Sequence, residues 1–338
     1  MATIFGDNTD EVFPGLGEDL SGNDYISARG GDDLIYSLNG NDTVYGGSGD
    51  DTVYGGSGAD RIYGGSGNDD LFGDSGNDYL SPDSGYDAVD GGSGIDTVTY
   101  YLGSSSILYI DLEAGYAFGG GHLDSLSNIE NVSARGYADY TLSGDDGANL
   151  LEAGYGDDLL RGRGGADTLS GGGGVDTASY TDSGSAVFVL LDTGVGYGGD
   201  AAGDRYLSIE NVDGSGYGDW LVGDNGANHL RGLSGDDYLY GGSGNDTLEG
   251  GYGNDVLRGD GGTDVFVFDV NVNFGDNVIE DFEDGVDRIE LRDPSASGFY
   301  YFNTDGDDLI IRYWGSTGEI VVEGAAGDIS SADIDYVT

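Results

Sequence analysis

Cysteine is absent from the 338-residue chain and methionine occurs once, so disulfides, thiolate metal sites and thiol redox chemistry are excluded. Basic residues are scarce: 11 face 64 acidic ones, all 11 are Arg, and the formal charge is −53. With no Lys anywhere, a Walker-type phosphate loop, a kinase-like lysine and Schiff-base chemistry drop out. The missing basic footprint also argues against nucleic acid and anionic membrane surfaces as partners. No stretch approaches the roughly 18 apolar residues that mark a membrane helix. The opening Met-Ala-Thr-Ile-Phe-Gly-Asp-Asn has neither a basic nor an apolar region, so no Sec-type leader is expected. What such a chain attracts is a cation.

Glycine, by contrast, is abundant, at 69 residues. An aromatic share of 11%, with 25 tyrosines, argues against disorder. The glycine therefore has a structural use, and a nine-residue period shows which. Residues 19–99 cut without a gap into nine nonapeptides, among them Gly-Gly-Ser-Gly-Asp-Asp-Thr-Val-Tyr at 46–54 and Gly-Gly-Ser-Gly-Ala-Asp-Arg-Ile-Tyr at 55–63. Position six is always Asp: Asp24, Asp33, Asp42, Asp51, Asp60, Asp69, Asp78, Asp87 and Asp96. Position eight is always aliphatic, from Ile26 to Val98. A second array of four units spans 144–179, with Asn149, Asp158, Asp167 and Asp176 at position six. A third array of six spans 214–267, with Asp219, Asn228, Asp237, Asp246, Asp255 and Asp264.

Glycines at positions one, two and four permit a tight turn with positive φ. Residues seven to nine then form a short strand with position eight inward. Two units make one coil with a strand on each side, and coils stack in parallel about 4.8 Å apart. Position-six carboxylates 18 residues apart then lie over one another. At about 5 Å and an effective dielectric near 20 they repel by roughly 3 kcal/mol. One buried aliphatic side chain returns only about 1.5–3 kcal/mol. Without a counter-charge the arrays are expected to be unfolded. Ca²⁺, which accepts flexible oxygen coordination, suits stacked carboxylates and turn carbonyls better than octahedral Mg²⁺.

These units resemble the GGxGxDxUx repeats of the RTX, or haemolysin-type, calcium-binding proteins. The resemblance implies an all-β, right-handed parallel β-roll, a β-solenoid. It also implies that each ion sits between turns 18 residues apart. Donors are the carbonyls of positions two and four plus Asp six of one turn, and positions one, three and six of the next. Carried over, one site uses Gly47, Gly49, Asp51, Gly64, Ser66 and Asp69. Its opposite-side neighbour uses Gly56, Gly58, Asp60, Gly73, Ser75 and Asp78. In the third array the set is Leu233, Gly235, Asp237, Gly250, Tyr252 and Asp255. Leu233 at position two costs backbone strain rather than a donor. Asn149 and Asn228 keep an oxygen but lose a charge, so weaker binding is expected there. The units beginning Asp19, Ala28, Ser37 and Pro82 lack the leading glycine pair, so partial sites are expected at both ends of the first array. With two sites fewer than units in each array, about 13 Ca²⁺ ions would neutralise about half of the excess charge.

Two inserts, 100–143 and 180–213, share Ser-Asn-Ile-Glu-Asn-Val at 127–132 and Leu-Ser-Ile-Glu-Asn-Val at 207–212. They read as longer coils of the same solenoid with extra strands. The expected organisation is an N-terminal cap coil (1–18), first array (19–99), insert (100–143), second array (144–179), insert (180–213), third array (214–267) and a C-terminal β cap (268–338). In the family the last region also carries a type I secretion signal, with which the closing Ile-Asp-Tyr-Val-Thr at 334–338 is compatible.

Enzyme readings lack their residues. His122 and His229 lie far apart with no HExxH, and read as ordinary surface or packing residues. No GxSxG elbow occurs, and the GxGxxG match at 194–199 is a by-product of glycine abundance. No carboxylate pair for glycoside hydrolysis stands out among the 64 acids. Tyr36, Tyr54 and Phe72 should stack on one outer face, with Tyr45 and Tyr63 on the other, as a cross-coil brace or a sugar platform. The sequence reading is therefore a non-enzymatic, extracellular calcium-binding protein that folds after export and has a structural, adhesive or matrix role. Two alternatives stay open: a folding and secretion module for a separately encoded enzyme or toxin, and a polysaccharide-binding module. Expected partners are calcium, the type I secretion machinery and surface polysaccharide.

Overall fold

A repeat of 18 residues that buries one aliphatic side chain per strand dictates stacked parallel strands, and that is the architecture found. The computed structural model describes residues 2–13, 20–103, 106–269, 274–292, 300–305, 307–313, 318–325, 329 and 333–337. Asp19 and Thr338 lie outside them, as does the end of the expected N-terminal cap. The chain divides into two compact units: Met1–Gly162 with Asp167–Gly174, and Arg163–Ala166 with Val175–Thr338.

In the first unit, strands Tyr25–Gly30, Thr43–Ser48, Arg61–Ser66 and Tyr79–Ser84 pair in parallel on one face, with Val44 opposite Ile62. The other face stacks Leu34–Tyr36, Thr52–Tyr54, Asp70–Phe72 and Ala88–Asp90, again in parallel. On the first face the pairing runs past positions seven to nine into the turn, because Gly47 pairs with Gly65 and Ser48 with Ser66. Position eight forms the core: Ile26, Ile35, Val44, Val53, Ile62, Leu71, Leu80, Val89 and Val98 are all buried. Position eight repeats this seal in every unit, so a polar residue there would leave an unpaired group in the core.

The first insert extends the roll. Ile107–Asp111, Tyr116–Gly119 and His122–Ser127 form an antiparallel excursion, and its outer strands rejoin the parallel ladders on Asp139–Ser143 and Ala88–Asp90. In the second unit, Phe188–Leu190, Val195–Tyr197 and Arg205–Leu207 repeat that excursion around one 3₁₀ turn, Gly199–Ala201. The third array stacks His229–Ser234, Thr247–Tyr252 and Val265–Asp269 on one face, and Trp220–Val222, Tyr238–Ser243 and Val256–Gly261 on the other. The C-terminal region caps it with more parallel pairing, Arg288–Arg292 and Ile334–Val337 on one side and Asp276–Ile279 and Glu319–Val322 on the other, plus the hairpin of Tyr300–Asp305 and Asp308–Tyr313. Among the described residues the fold is a parallel β-roll, all-β apart from that 3₁₀ turn.

Side chains forced into left-handed backbone mark the turns. Arg29, Leu38, Asp74, Asp83, Arg163, Leu233 and Asp260 all occupy position two with φ between 62° and 80°. The strain expected at Leu233 is there, at φ 75°. Each such residue costs about 1–2 kcal/mol against glycine.

Candidate metal centres

The turns place every position-six aspartate in one repeated geometry. Within the arrays the backbone N–H donates to Oδ1 of the equivalent aspartate one coil on: Asp33 to Asp51 at 2.9 Å, Asp51 to Asp69 at 2.9 Å, Asp42 to Asp60 at 2.7 Å and Asp60 to Asp78 at 2.8 Å. The third array does the same from Asp219 to Asp237 at 2.7 Å and from Asp237 to Asp255 at 3.1 Å. In these acceptors Oδ1 is satisfied and Oδ2 is not, whereas Asp219 Oδ2 accepts from Ser215 N–H at 2.5 Å. Oδ2 of Asp33, Asp51, Asp60, Asp69, Asp78, Asp87, Asp96, Asp237, Asp246 and Asp255 is buried without a hydrogen-bond partner. A row of buried anionic oxygens this long is not tolerated unless something compensates it.

Carbonyl oxygens converge on the same places. A Cβ built on Gly46 would lie 2.4 Å from Asp51 Oδ2 and 2.8 Å from the carbonyl of Gly64, one coil on. On Gly55 it would lie 2.7 Å from Asp60 Oδ2 and 2.8 Å from the Gly73 carbonyl, and on Gly232 it would lie 2.2 Å from Asp237 Oδ2 and 2.7 Å from the Gly250 carbonyl. Position-one glycine is therefore needed to leave open a cradle walled by oxygen. The carbonyl oxygens of Gly47 and Gly49 occupy the space a Cβ on Gly65 and Gly67 would need, as those of Leu233 and Gly235 do for Gly251 and Gly253. Gly56 and Gly58 sit in the same turn geometry, each with positive φ. The position-three carbonyls of Ser66, Ser75 and Tyr252 accept the N–H of Gly49, Gly58 and Gly235 at 2.8, 2.9 and 2.7 Å.

Electrostatics follow burial. Loss of solvation pushes Asp51, Asp78, Asp87, Asp96, Asp158 and Asp264 up to about 6, Asp60, Asp69 and Asp255 to about 7, and Asp237 to about 8. The donated N–H offsets part of this, and neighbouring acids add to it. Desolvation, ahead of the mutual repulsion emphasised by the sequence, is the larger obstacle to ionising these groups.

The departures from the repeat have structures of their own. Ala28, Ser37 and Pro82 are buried at position one, where regular units leave the cradle open, and Ser37 Oγ donates to the Gly55 carbonyl at 2.6 Å. Asn149 Oδ1 accepts from Asp145 N–H at 2.9 Å while its Nδ2 donates to the Glu130 carbonyl at 2.8 Å. Asn228 repeats this with Asp224 at 2.8 Å and the Glu210 carbonyl at 2.8 Å. At these two rungs an amide N–H₂ faces the carbonyl, so no anionic oxygen is left over.

Several ladder members were invisible to the nonapeptide pattern. Glu130 Oε2 accepts from Asp96 N–H at 2.7 Å and Glu210 Oε2 from Asp176 N–H at 2.8 Å. The recurring Ile-Glu-Asn-Val motif thus supplies a longer acid where the repeat breaks. Asn131 and Asn211 next to it accept from Leu150 and His229 N–H at 2.9 and 3.0 Å. Asp124, Asn277 and Asp287 continue the rungs after Asp87, Asp255 and Asp264 at 3.0, 2.8 and 2.9 Å. A second, exposed ladder runs the opposite way through position five: Asp50 N–H donates to Asp32, Asn68 N–H to Asp50, and Asn254 N–H to Asp236, at 2.9, 2.7 and 2.8 Å. Its signal was the excess of Asp and Asn at that slot.

Asp24, Asp33, Asp42, Asp87, Asp96, Asp158, Asp167, Asp176, Asp219, Asp246 and Asp264 are all buried on these rungs. The two histidines differ: His122 is buried beside Asp124, whereas His229 is half-buried with Nε2 4.0 Å from Glu249. The expected outer stacks are present, with Tyr36 on Tyr54 at 4.9 Å, Tyr54 on Phe72 at 4.7 Å and Tyr45 on Tyr63 at 4.6 Å, each within 7° of parallel. Among the described residues no helix is long and apolar enough to cross a membrane.

The family model described as RTX calcium-binding nonapeptide repeat matches residues 18–44, 45–80, 143–178, 213–248 and 240–270. No curated protein gives a significant match. Among solved structures, the AlgE6R3 subunit of the Azotobacter vinelandii mannuronan C5-epimerase is 30% identical, over 35% of this chain and 78% of that one, with a TM-score of 0.29. Extracellular lipase LipA from Serratia marcescens is 18% identical, over 87% of this chain and 39% of that one, with a TM-score of 0.27. The assignment rests on the repeats themselves: in all three arrays the chain is built of RTX calcium-binding nonapeptide repeats.

Proposed function

We propose that calcium binding between successive coils is what folds this chain, and that it does so outside the cell. The observation that carries this reading is the row of buried Oδ2 atoms, of which those of Asp51, Asp60, Asp69, Asp78 and Asp237 share a cradle with a position-one carbonyl one coil on. Gly47, Gly49 and Asp51 with Gly64, Ser66 and Asp69 would hold one ion, and Gly56, Gly58 and Asp60 with Gly73, Ser75 and Asp78 the next. Leu233, Gly235 and Asp237 with Gly250, Tyr252 and Asp255 would form the corresponding centre in the third array. A bound divalent cation supplies the positive charge that lets these carboxylates stay ionised while buried. Asn149 and Asn228 close their rungs by hydrogen bonding alone, which makes about 13 ions an upper bound.

Extracellular calcium modules bind at about 10⁻⁴–10⁻³ M. At such affinities the arrays stay unfolded in a low-calcium cytosol and fold after export, so that binding energy is folding energy. Passage through a type I machinery and a structural, adhesive or matrix role follow from that reading. Equilibrium dialysis against ⁴⁵Ca²⁺ tests the centres: Asp51→Ala with Asp69→Ala should lose bound calcium, and an unchanged stoichiometry would refute the assignment.

A second reading is supported by a groove of about 570 Å³ in the first unit. Tyr101, Tyr137 and Tyr155 line it with Arg135 and Glu152, and Tyr137 stacks on Tyr155 at 5.0 Å. Exposed tyrosine faces beside an arginine and a glutamate suit an extended polysaccharide. The ladders of Tyr36 and Tyr45 are less open, at 37% exposure each, than Tyr101, Tyr137 and Tyr155 at 74%, 59% and 58%. Retardation in polysaccharide-containing native gels, lost in Tyr101→Ala with Tyr137→Ala, would support this reading; equal retardation of the variant would remove it.

A further inference from the structure

Where the first array meets its insert, the ladder changes its chemistry. Strand His122–Ser127 pairs beside Ala88–Asp90 with Ala88 opposite Ser125, which sets Asp124 on the rung after Asp87. Asp87 N–H donates to Asp124 Oδ1 at 3.0 Å, as in every regular coil. In a regular unit the residue two before the ladder aspartate is a glycine, such as Gly49 before Asp51 or Gly85 before Asp87. Here that slot holds His122, and the alternation of the strand turns His122, Asp124 and Leu126 inward together.

The result is a compact donor set. One donor atom each from Asp87, His122 and Asp124 lies within 4.8 Å of the others, and all three residues are buried. His122 is 8% exposed, its Nδ1 has no hydrogen-bond partner, and it lies 3.3 Å from Asp124 Oδ2. Asp87 Oδ2 is likewise buried and unpartnered. Tyr100 holds the set in place: its hydroxyl donates to Asp124 Oδ2 at 3.0 Å, and its ring meets the imidazole edge-on at 5.2 Å. Such outer contacts fix the orientation of metal-binding side chains.

We propose that Asp87, His122 and Asp124 bind a zinc-class transition-metal ion, at a site chemically distinct from the all-oxygen calcium centres. Imidazole nitrogen is a poor partner for Ca²⁺, whereas one His with two carboxylates suits Zn²⁺. The second insert shows the contrast within the same chain. Eighty residues on, Tyr180 and Asp204 repeat Tyr100 and Asp124, with the Tyr180 hydroxyl on Asp204 Oδ2 at 2.7 Å. Ala202 replaces His122, and the Tyr206 hydroxyl, 2.5 Å from that of Tyr180, completes an ordinary hydrogen-bond network instead.

The test uses the full chain at saturating Ca²⁺, titrated with ZnCl₂. One equivalent of Zn²⁺ should bind and shift the ¹⁵N-imidazole resonances of one of the two histidines, leaving the other unmoved. His122→Ala should abolish that equivalent while keeping the calcium-induced circular dichroism, and His229→Ala should retain it. If His122→Ala folds poorly, His229→Ala decides the matter, because its one remaining imidazole resonance must be the one that shifts. Absence of zinc binding, movement of neither or both resonances, or undiminished binding in a folded His122→Ala would overturn the proposal.

Discussion

Asp246 and Asn228 occupy successive rungs of one ladder and differ by a single functional group. Both sit at position six, both are buried, and Asn228 N–H donates to Asp246 Oδ1 at 2.8 Å. Asp246 is left with a buried anionic oxygen that has no partner, whereas Asn228 uses its amide to close on the Glu210 carbonyl. One rung needs a cation and its neighbour does not. Asn149 repeats the closed form in the first unit. The difference teaches that the array interiors are incomplete as proteins, while the rungs at Asn149 and Asn228, near the starts of the second and third arrays, are self-sufficient.

The largest effect is expected when an open rung loses its acid. Asp69→Ala in the calcium-loaded chain removes a donor shared by two coils and should cost about 3 kcal/mol, read from the chemical unfolding midpoint. Next comes pH. In the metal-free state the folded carboxylates have raised values, about 7 for Asp60, Asp69 and Asp255 and about 8 for Asp237, against 3.8 for an unperturbed Asp. A group raised in the folded state stabilises below its unfolded value and loses that contribution as pH rises through the folded one. In chelator the roll should therefore be better formed at pH 4 than at pH 8. Calcium affinity should rise over the same interval, because ion and proton compete for Oδ2.

Exchanging the two rung types sharpens the comparison further. Asn228→Asp puts a carboxylate against the Glu210 carbonyl and should destabilise the low-calcium state by about 1–3 kcal/mol, the cost of a buried unpaired group. Asp246→Asn should do the reverse at low calcium and weaken calcium binding. The smallest effect is at the backbone: Leu233→Gly should relieve left-handed strain worth about 1 kcal/mol, visible as a small rise in the unfolding temperature at saturating calcium.

Much of this was legible because the repeat states the same requirement many times. Position eight is aliphatic in every unit of the first array, and each of those side chains is buried. Position two tolerates Leu233 because its backbone, and not its side chain, is what the turn uses. What stayed hidden lies where the spacing departs from 18. Glu130 follows Asp96 by 34 residues, Asp124 follows Asp87 by 37, and Asn277 follows Asp255 by 22, so no fixed period aligns them. The position-five ladder was missed for a different reason: Asp and Asn both offer an acceptor there, and the alternation looks like an unconstrained slot. His122 read as ordinary because its partners are far away in sequence and meet only through the pairing of Ala88–Asp90 with His122–Ser127.

Far-ultraviolet circular dichroism of the full chain at neutral pH, titrated from chelator into millimolar Ca²⁺, bears most directly on whether the buried Oδ2 rows require calcium. The expected result is a disordered spectrum in chelator that converts cooperatively to β-structure as calcium is added, and reverts when chelator is restored. A complete β spectrum already present in chelator, unchanged by calcium, would contradict the account.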